Sequence, residues 1–122
     1  HVLPGIDDGA TDMEQTLELL RTMEEDGIEV VAATPHVHER WPTAPETMEE
    51  GVAAVREAAA AEGLRIDVRP GGEIALDRLA YLDRASRARF GRLPGAAPGR
   101  HRPARRPPGA QRRRAERARP DP

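Results

Sequence analysis

Met13, Leu17, Leu20 and Met23 recur at steps of three and four residues, the spacing that places side chains on one face of a helix. Thr11-Asp12-Met13-Glu14, just before them, has the form of a capping box. In such a box the Thr11 hydroxyl accepts from the Glu14 N–H and the Glu14 carboxylate returns to the Thr11 N–H. Gly27 ends the helical pattern, because glycine tolerates the left-handed position that closes a helix. The run Val30-Val31-Ala32-Ala33 then predicts a buried strand stopping at Thr34-Pro35. The same grammar repeats. Thr43-Ala44-Pro45-Glu46 reads as a second capping box, with proline in the first turn where its missing N–H costs nothing. Met48, Val52, Val55 and Ala59 share one face, Gly63 closes the helix, and Leu64–Val68 predicts a short strand. A third helical start is expected after Asp77. Two helix-glycine-strand units in succession predict an α/β chain with a parallel sheet and crossover helices.

This pattern stops abruptly. Beyond Phe90 and Leu93 there is no large apolar side chain. Residues 84–122 contain 13 Arg, 7 Pro, 4 Gly and only 2 acidic residues, whereas residues 1–83 contain 6 Arg and 19 Asp or Glu. The net charge of −2 therefore averages two segments of opposite sign. A stretch so poor in apolar surface cannot offset the entropy of ordering its backbone, so residues 84–122 are expected to be disordered. The division falls near Gly91: residues 1–90 form a partial α/β domain and 91–122 an Arg/Pro-rich tail.

The 122 residues suffice for one small domain. There is no cysteine, which excludes disulfides and thiolate metal sites, so a metal site must draw on His, Asp and Glu. No apolar run approaches the ~20 residues of a membrane span and no cleavable leader is recognisable. A cytoplasmic protein without membrane partners is the expectation. A chain that opens on His1 reads as one that has lost its beginning.

In parallel α/β sheets, functional groups gather at the carboxyl ends of strands. His1-Val2-Leu3 reads as the exit of a first strand, followed by the turn Pro4-Gly5-Ile6-Asp7-Asp8-Gly9. His36 and His38 follow the strand 30–33, and Glu73 follows 64–68 just past Pro70-Gly71-Gly72. Each of these residues alone is also a turn, capping or surface residue. Asp7-Asp8-Gly9 alone is a helix-entry signal, and His38 is as well read as a solvated neighbour. Their joint placement at successive strand ends is what points to a site. Imidazoles and carboxylates are ligands suited to Zn, Mn or Fe, and paired cations can clamp both oxygens of a phosphoryl displacement.

Three segments carry a family resemblance: His1-Val-Leu-Pro-Gly-Ile-Asp-Asp-Gly-Ala, then Ala33-Thr34-Pro35-His36, then Pro70-Gly71-Gly72-Glu73-Ile74. In order and spacing, residues 1–90 resemble the PHP-type (polymerase and histidinol phosphatase) metal-dependent tyrosine phosphatases of bacterial capsule and exopolysaccharide systems. The resemblance implies part of a distorted TIM-like barrel and several divalent ions, Mn or Fe, with Zn an alternative. It also implies hydrolysis of phosphotyrosine on a tyrosine autokinase. Carried across, His1 is similar to the second His of an opening His-x-His motif, and Asp8 to a metal ligand beside a turn that Asp7 supports. His36 is similar to the ligand ending the second strand and Glu73 to a carboxylate bridging two metals. Arg40 is a candidate contact for substrate phosphate, or a plain surface arginine. Another phosphoesterase of the same superfamily, histidinol-phosphatase-like, is the alternative activity.

The family's first His, a later His, a His-Pro-Glu-Arg segment and a final Asp-x-His have no counterpart in these 122 residues, and His101 stands among Arg and Pro. A full barrel of this kind takes ~250 residues. The expectation is therefore a largely inactive fragment, poorly soluble because a truncated sheet exposes its edge and apolar faces. For 91–122 three readings stand: a shifted reading frame in a GC-rich gene, which is favoured, an inert linker, and a basic arm for nucleic acid. The arm lacks aromatic residues for base stacking, which argues against nucleic acid as a partner.

Overall fold

A computed structural model describes residues 1–91; the disorder expected from residue 92 onward, the reading-frame question and His101 lie outside the described residues. The chain runs α1 (Met13–Glu25), β1 (Val30–Ala33), β2 (His36–Val37), α2 (Pro45–Ala61), β3 (Asp67–Pro70), β4 (Glu73–Ile74), a 3-10 turn (Arg78–Ala80) and α3 (Arg84–Gly91). β1 pairs with β3 and β2 with β4, both in parallel. Ala33 stands opposite Pro70 and His36 opposite Glu73, so the two short ladders keep one register. They are a single strand pair interrupted at Thr34-Pro35 on one side and Gly71-Gly72 on the other. Proline has no N–H to donate there, and Gly71 lies so close to its neighbour that a Cβ would sit 2.8 Å from the Ala33 carbonyl oxygen. Pairing resumes where Glu73 N–H donates to the Pro35 carbonyl at 3.0 Å.

The helix faces are those the spacing predicts. Met48, Val52, Val55 and Ala59 of α2 are all buried, as is Leu20 of α1, with Met13, Leu17 and Met23 half-buried beside it. Both helices end in the same motif. Gly27 and Gly63 take positive φ, and Ile28 and Leu64 donate back to the Met23 and Ala59 carbonyls at 2.9 Å.

The starts of the elements differ from expectation. Asp12, not Thr11, caps α1: its carboxylate accepts from Gln15 N–H at 2.9 Å, and the Gln15 side chain accepts from Thr11 N–H at 2.8 Å. The reciprocal pair is thus moved one residue on, to Asp12 and Gln15. α2 has no side-chain cap at all. Thr43 is buried, with its own N–H given to the Trp41 carbonyl, and Pro45 with its fixed φ opens the helix instead. The second strand is 67–70 rather than 64–68, since Leu64 is spent on closing α2. After Asp77 comes only the 3-10 turn. The third helix begins at Arg84, where Asp83 accepts from Ser86 N–H at 2.8 Å, so residues 84–91 are ordered where composition predicts disorder.

Two further corrections concern burial. Among the described residues no ladder includes residues 1–3. Val2 and Leu3 are buried all the same, their segment being held by Ala10 N–H on the His1 carbonyl and the Thr16 hydroxyl on the Val2 carbonyl. β1 is not buried on both faces: Ala33 is, Val31 is half-buried, and Val30 and Ala32 are exposed together on the other face. α1 packs on α2, and both α2 and α3 pack on β3. Among the large apolar side chains left exposed are Val30 of β1 and Ile28 just before it.

Candidate metal centre

Gly9 makes the first part of the site possible. A Cβ at that position would fall 2.1 Å from the His1 carbonyl oxygen and 2.5 Å from the His1 Cβ, so only glycine lets the 5–9 turn fold back onto His1. The fold-back brings Asp7 beneath the imidazole. Asp7 Oδ2 lies 2.8 Å from His1 Nδ1 and accepts from His36 N–H at 2.9 Å, while Oδ1 accepts from Gly9 N–H at 3.0 Å. The Asp7 side chain is 1% exposed, so this carboxylate is an internal brace between residue 1 and residue 36.

β2 supplies His36, and the shared register supplies Glu73 of β4 opposite it. His1 Nε2 is 3.1 Å from Glu73 Oε2, and His36 Nδ1 is 3.7 Å from Glu73 Oε1. On the turn side His36 Nε2 is 3.2 Å from Asp8 Oδ1. The two imidazoles lie 4.4 Å apart, ring centre to ring centre. Of the candidates named from sequence, His1, Asp8, His36 and Glu73 are thus brought together. Ligand atoms of His1, Asp7, Asp8 and His36 all fall within 4.8 Å of one another.

Charge is arranged accordingly. The Asp7 hydrogen bond, aided by the Asp7 charge and by Glu73, holds the His1 imidazole above its ordinary pKa against the opposing pull of burial. For Asp7, burial pushes the pKa up, but His1 and the two backbone N–H groups of His36 and Gly9 outweigh it and hold the carboxyl below its usual range. Asp7 therefore stays ionised, and its fixed bond to Nδ1 leaves Nε2 as the His1 nitrogen facing the cluster.

Sequence reasoning gave Asp7 a supporting place in the turn, which understates it. It also passed over Trp41. That ring stacks on His36 at 5.2 Å and 14° between planes, and the Arg40 guanidinium lies 4.4 Å from its centre. A lone tryptophan five residues beyond a candidate ligand, in a chain with one Tyr and one Phe besides, was the available signal. His38 is not drawn into the cluster. It accepts from Arg40 N–H at 3.1 Å and packs its ring against His36 and Trp41. A cleft of about 340 Å³ opens beside this loop, lined by Ile6, Arg40 and Trp41 among others.

Could this set hold a cation? A first-row metal takes imidazole nitrogen and carboxylate oxygen at ~2.0–2.2 Å, so two ligand atoms on one ion lie at most about 4.4 Å apart. For His1, Asp7, Asp8 and His36 the 4.8 Å span lies within a few tenths of an ångström of that limit, Glu73 adjoins the set through both imidazoles, and the donors are of the right hardness. The residues fit.

Over residues 1–90 the chain matches the family model described as capsular polysaccharide synthesis, CpsB/CapC. The chain belongs to that family. A curated relative, the tyrosine-protein phosphatase YwqE of Bacillus subtilis (strain 168), is 31% identical over 88 residues, 71% of this chain and 35% of the relative. A solved structure from work on YwqE of B. subtilis and CpsB of Streptococcus pneumoniae, described as unique metal-dependent tyrosine phosphatases, matches with a TM-score of 0.61. That match has 30% identity and covers 66% of this chain and 35% of the other. The α/β architecture is therefore part of the fold of those phosphatases, and the chain spans about a third of their length. No helix among the described residues is long and apolar enough to cross a membrane.

Proposed function

We infer that this chain carries the opening portion of a metal-dependent phosphoester hydrolase site, acting in the family on phosphotyrosine of proteins that govern polysaccharide synthesis and export. The observation that carries the reading is the convergence of His1, Asp7, Asp8 and His36 within 4.8 Å of one another, with Glu73 against both imidazoles. His1 Nε2, Asp8, His36 and Glu73 are the ligands. Asp7 orients His1 from behind, as carboxylates do for metal-binding imidazoles. A bound divalent ion, Mn or Fe in preference to Zn, supplies positive charge to polarise the phosphoryl group and activate water. Glu73 faces both imidazoles and would add a carboxylate oxygen to the set that would hold a divalent ion. Arg40, its guanidinium over the Trp41 ring that stacks on His36, is a candidate to meet substrate phosphate, and the adjoining cleft has room for an aryl group. A tyrosine autokinase is the proposed substrate and the cytoplasm the proposed location, both on the strength of the family.

Four ligands without the family's later motifs hold an ion weakly, so these 122 residues bind metal but turn over little substrate. The test pairs Co²⁺ or Mn²⁺ titration with assays on p-nitrophenyl phosphate, a phosphotyrosine peptide and histidinol phosphate. Expected are metal binding lost in His36→Ala and hydrolysis that is at most slight. Any such hydrolysis should favour the phosphotyrosine peptide, with a KM raised several-fold in Arg40→Ala. Absence of metal binding overturns the site. Turnover like that of an ordinary phosphatase, abolished by His36→Ala, overturns the partial-site reading. Preference for histidinol phosphate reassigns the substrate. For residues 91–122 we keep the shifted reading frame, supported by the charge reversal in the sequence. If a one-base shift near codon 90 of the gene encodes no His-Pro-Glu-Arg-like stretch, that reading is wrong.

A further inference from the structure

Glu73 is 60% exposed, and among the described residues its carboxylate has polar contacts with the two imidazoles it faces. Its position must therefore come from its backbone. On one side that backbone is paired, through Glu73 N–H to Pro35 and Ala75 N–H to Val37. On the other side lies α3. A Cβ on Gly72 would fall 2.6 Å from Phe90 Cδ1, 3.0 Å from Cγ and 3.2 Å from Cβ, so the phenyl ring rests directly on the main chain next to Glu73.

α3 has little else to hold it. It is 8 residues long, too short to persist alone, and Phe90 is its one buried residue. Two devices fix where that ring goes. Asp83 caps the helix through Ser86 N–H. Arg89, the residue beside Phe90, spans Glu46 and Glu49 of α2, with Nε and Nη2 at 2.8 and 2.6 Å from the Glu49 oxygens and Nη1 on Glu46. Planar guanidinium bound to two carboxylates is a directional clamp rather than a loose surface pair.

We propose that α3 is a positioning element for the metal centre: the Phe90 ring seated on Gly72 sets where Glu73 stands relative to His1 and His36, and the Arg89 clamp holds the ring there. The proposal rests on the metal-centre reading. It differs from plain core filling in one respect. Loss of a filler lowers stability, whereas loss of a positioning residue also changes the His1–Glu73 contact.

The experiment uses the whole chain, ¹⁵N-labelled at histidine, at one fixed pH. Phe90→Ala, Phe90→Leu, Arg89→Gln and Glu73→Gln are compared with Leu20→Ala, a buried side chain on α1. Two quantities are read: the ring-nitrogen signals of His1 and His36, and the Kd for Co²⁺ from its visible absorption. In Phe90→Ala the His1 signals should move toward those of Glu73→Gln, and the Co²⁺ Kd should rise about ten-fold, the lower end for loss of an orienting partner. Phe90→Leu and Arg89→Gln should move both readings the same way by less, and Leu20→Ala should lower Tm while moving neither. Phe90→Ala that loses stability as Leu20→Ala does, with unchanged His1 signals, overturns the proposal. If Phe90→Ala does not fold, Arg89→Gln decides by the same reading. If the wild-type chain binds no Co²⁺, the metal-centre reading fails, and the His1 signals still decide whether α3 positions Glu73.

Discussion

His36 and Glu73 stand opposite one another in the same parallel ladder, yet they are held in different ways. His36 is 17% exposed, its own N–H is bound by the buried Asp7 carboxylate, and its ring is stacked on Trp41. Apart from the ladder it shares with Glu73, these contacts are local to residues 1–41. Glu73 projects from a glycine pair, is more than half exposed, and depends on backbone contacts made by distant segments. One ligand is set by a web of side-chain hydrogen bonds and the other by close main-chain packing. The first arm, the segment that ends at His36, should therefore be the one that fails when a polar atom is removed. Both it, at Gly9, and the second arm, the segment that ends at Glu73, at Gly71, should fail when a methyl group is added.

Removing the polar brace should do the most damage. Asp7→Ala strips acceptors from His1 Nδ1, His36 N–H and Gly9 N–H at once. An unsatisfied buried donor costs ~1–3 kcal/mol, and partly exposed His1 recovers some loss through water, so a total of about 3 kcal/mol is expected. Urea unfolding monitored by circular dichroism checks it. A loss below about 1 kcal/mol would mean that the brace is incidental and the two arms are held alike.

Adding a methyl group to the second arm comes next. In Gly71→Ala the new Cβ meets a backbone oxygen, that of Ala33, which cannot step aside. Overpacking of this kind costs ~1–3 kcal/mol, and here it also pries Glu73 away from His36. The pairing of Glu73 N–H with Pro35 should weaken, seen as faster exchange of that amide. The control is Gly63→Ala, whose Cβ meets nothing but whose φ of 76° is unfavourable, so it should lose stability with no change at Glu73. Equal behaviour of the two variants would remove the distinction between a glycine needed for closeness and one needed for conformation.

Both helix faces, both closing glycines and the parallel α/β order were legible because they follow from residue spacing alone. So was the meeting of His36 and Glu73, since strand ends converge wherever a parallel sheet forms, whereas His1 and Asp8 are brought there by the 5–9 turn and the Asp7 brace and not by the strand the pattern predicts. The failures have a common physical form. Thr11 and Asp12 are equally good caps by composition, and the choice fell to Gln15, whose side chain reaches Thr11 N–H only if Asp12 caps. Val30 reads as buried because valine-rich runs usually are, while its exposure depends on what covers the second face of the sheet. α3 lies in an Arg-rich stretch whose order comes from carboxylates some 40 residues away, at Glu46 and Glu49. The roles of Asp7 and Phe90 are likewise contacts across the chain that no local pattern encodes.

The weakest response should come from acidifying the groups that hold α3. Arg89 holds the Glu46 and Glu49 carboxyls below their ordinary value of 4.5, and the Ser86 backbone N–H does the same for Asp83. Each folded pKa is depressed, so each group favours the docked helix fully above its ordinary value and loses that contribution as pH falls through the lower folded value. All three groups are exposed, where ion pairs are weak and screened by salt, so the change should be slight and should shrink further at high ionic strength. Between pH 6 and pH 3 the NMR signals of the Phe90 ring and the Gly72 amide should drift toward those of Arg89→Gln, while the Val55 methyls in the body of α2 stay in place. Asp7 is depressed as well and must eventually protonate, so the order of the two events is decisive. If His36 N–H loses its Asp7 partner before Phe90 leaves Gly72, the first arm is the weaker one in acid and the contrast between the two arms reverses.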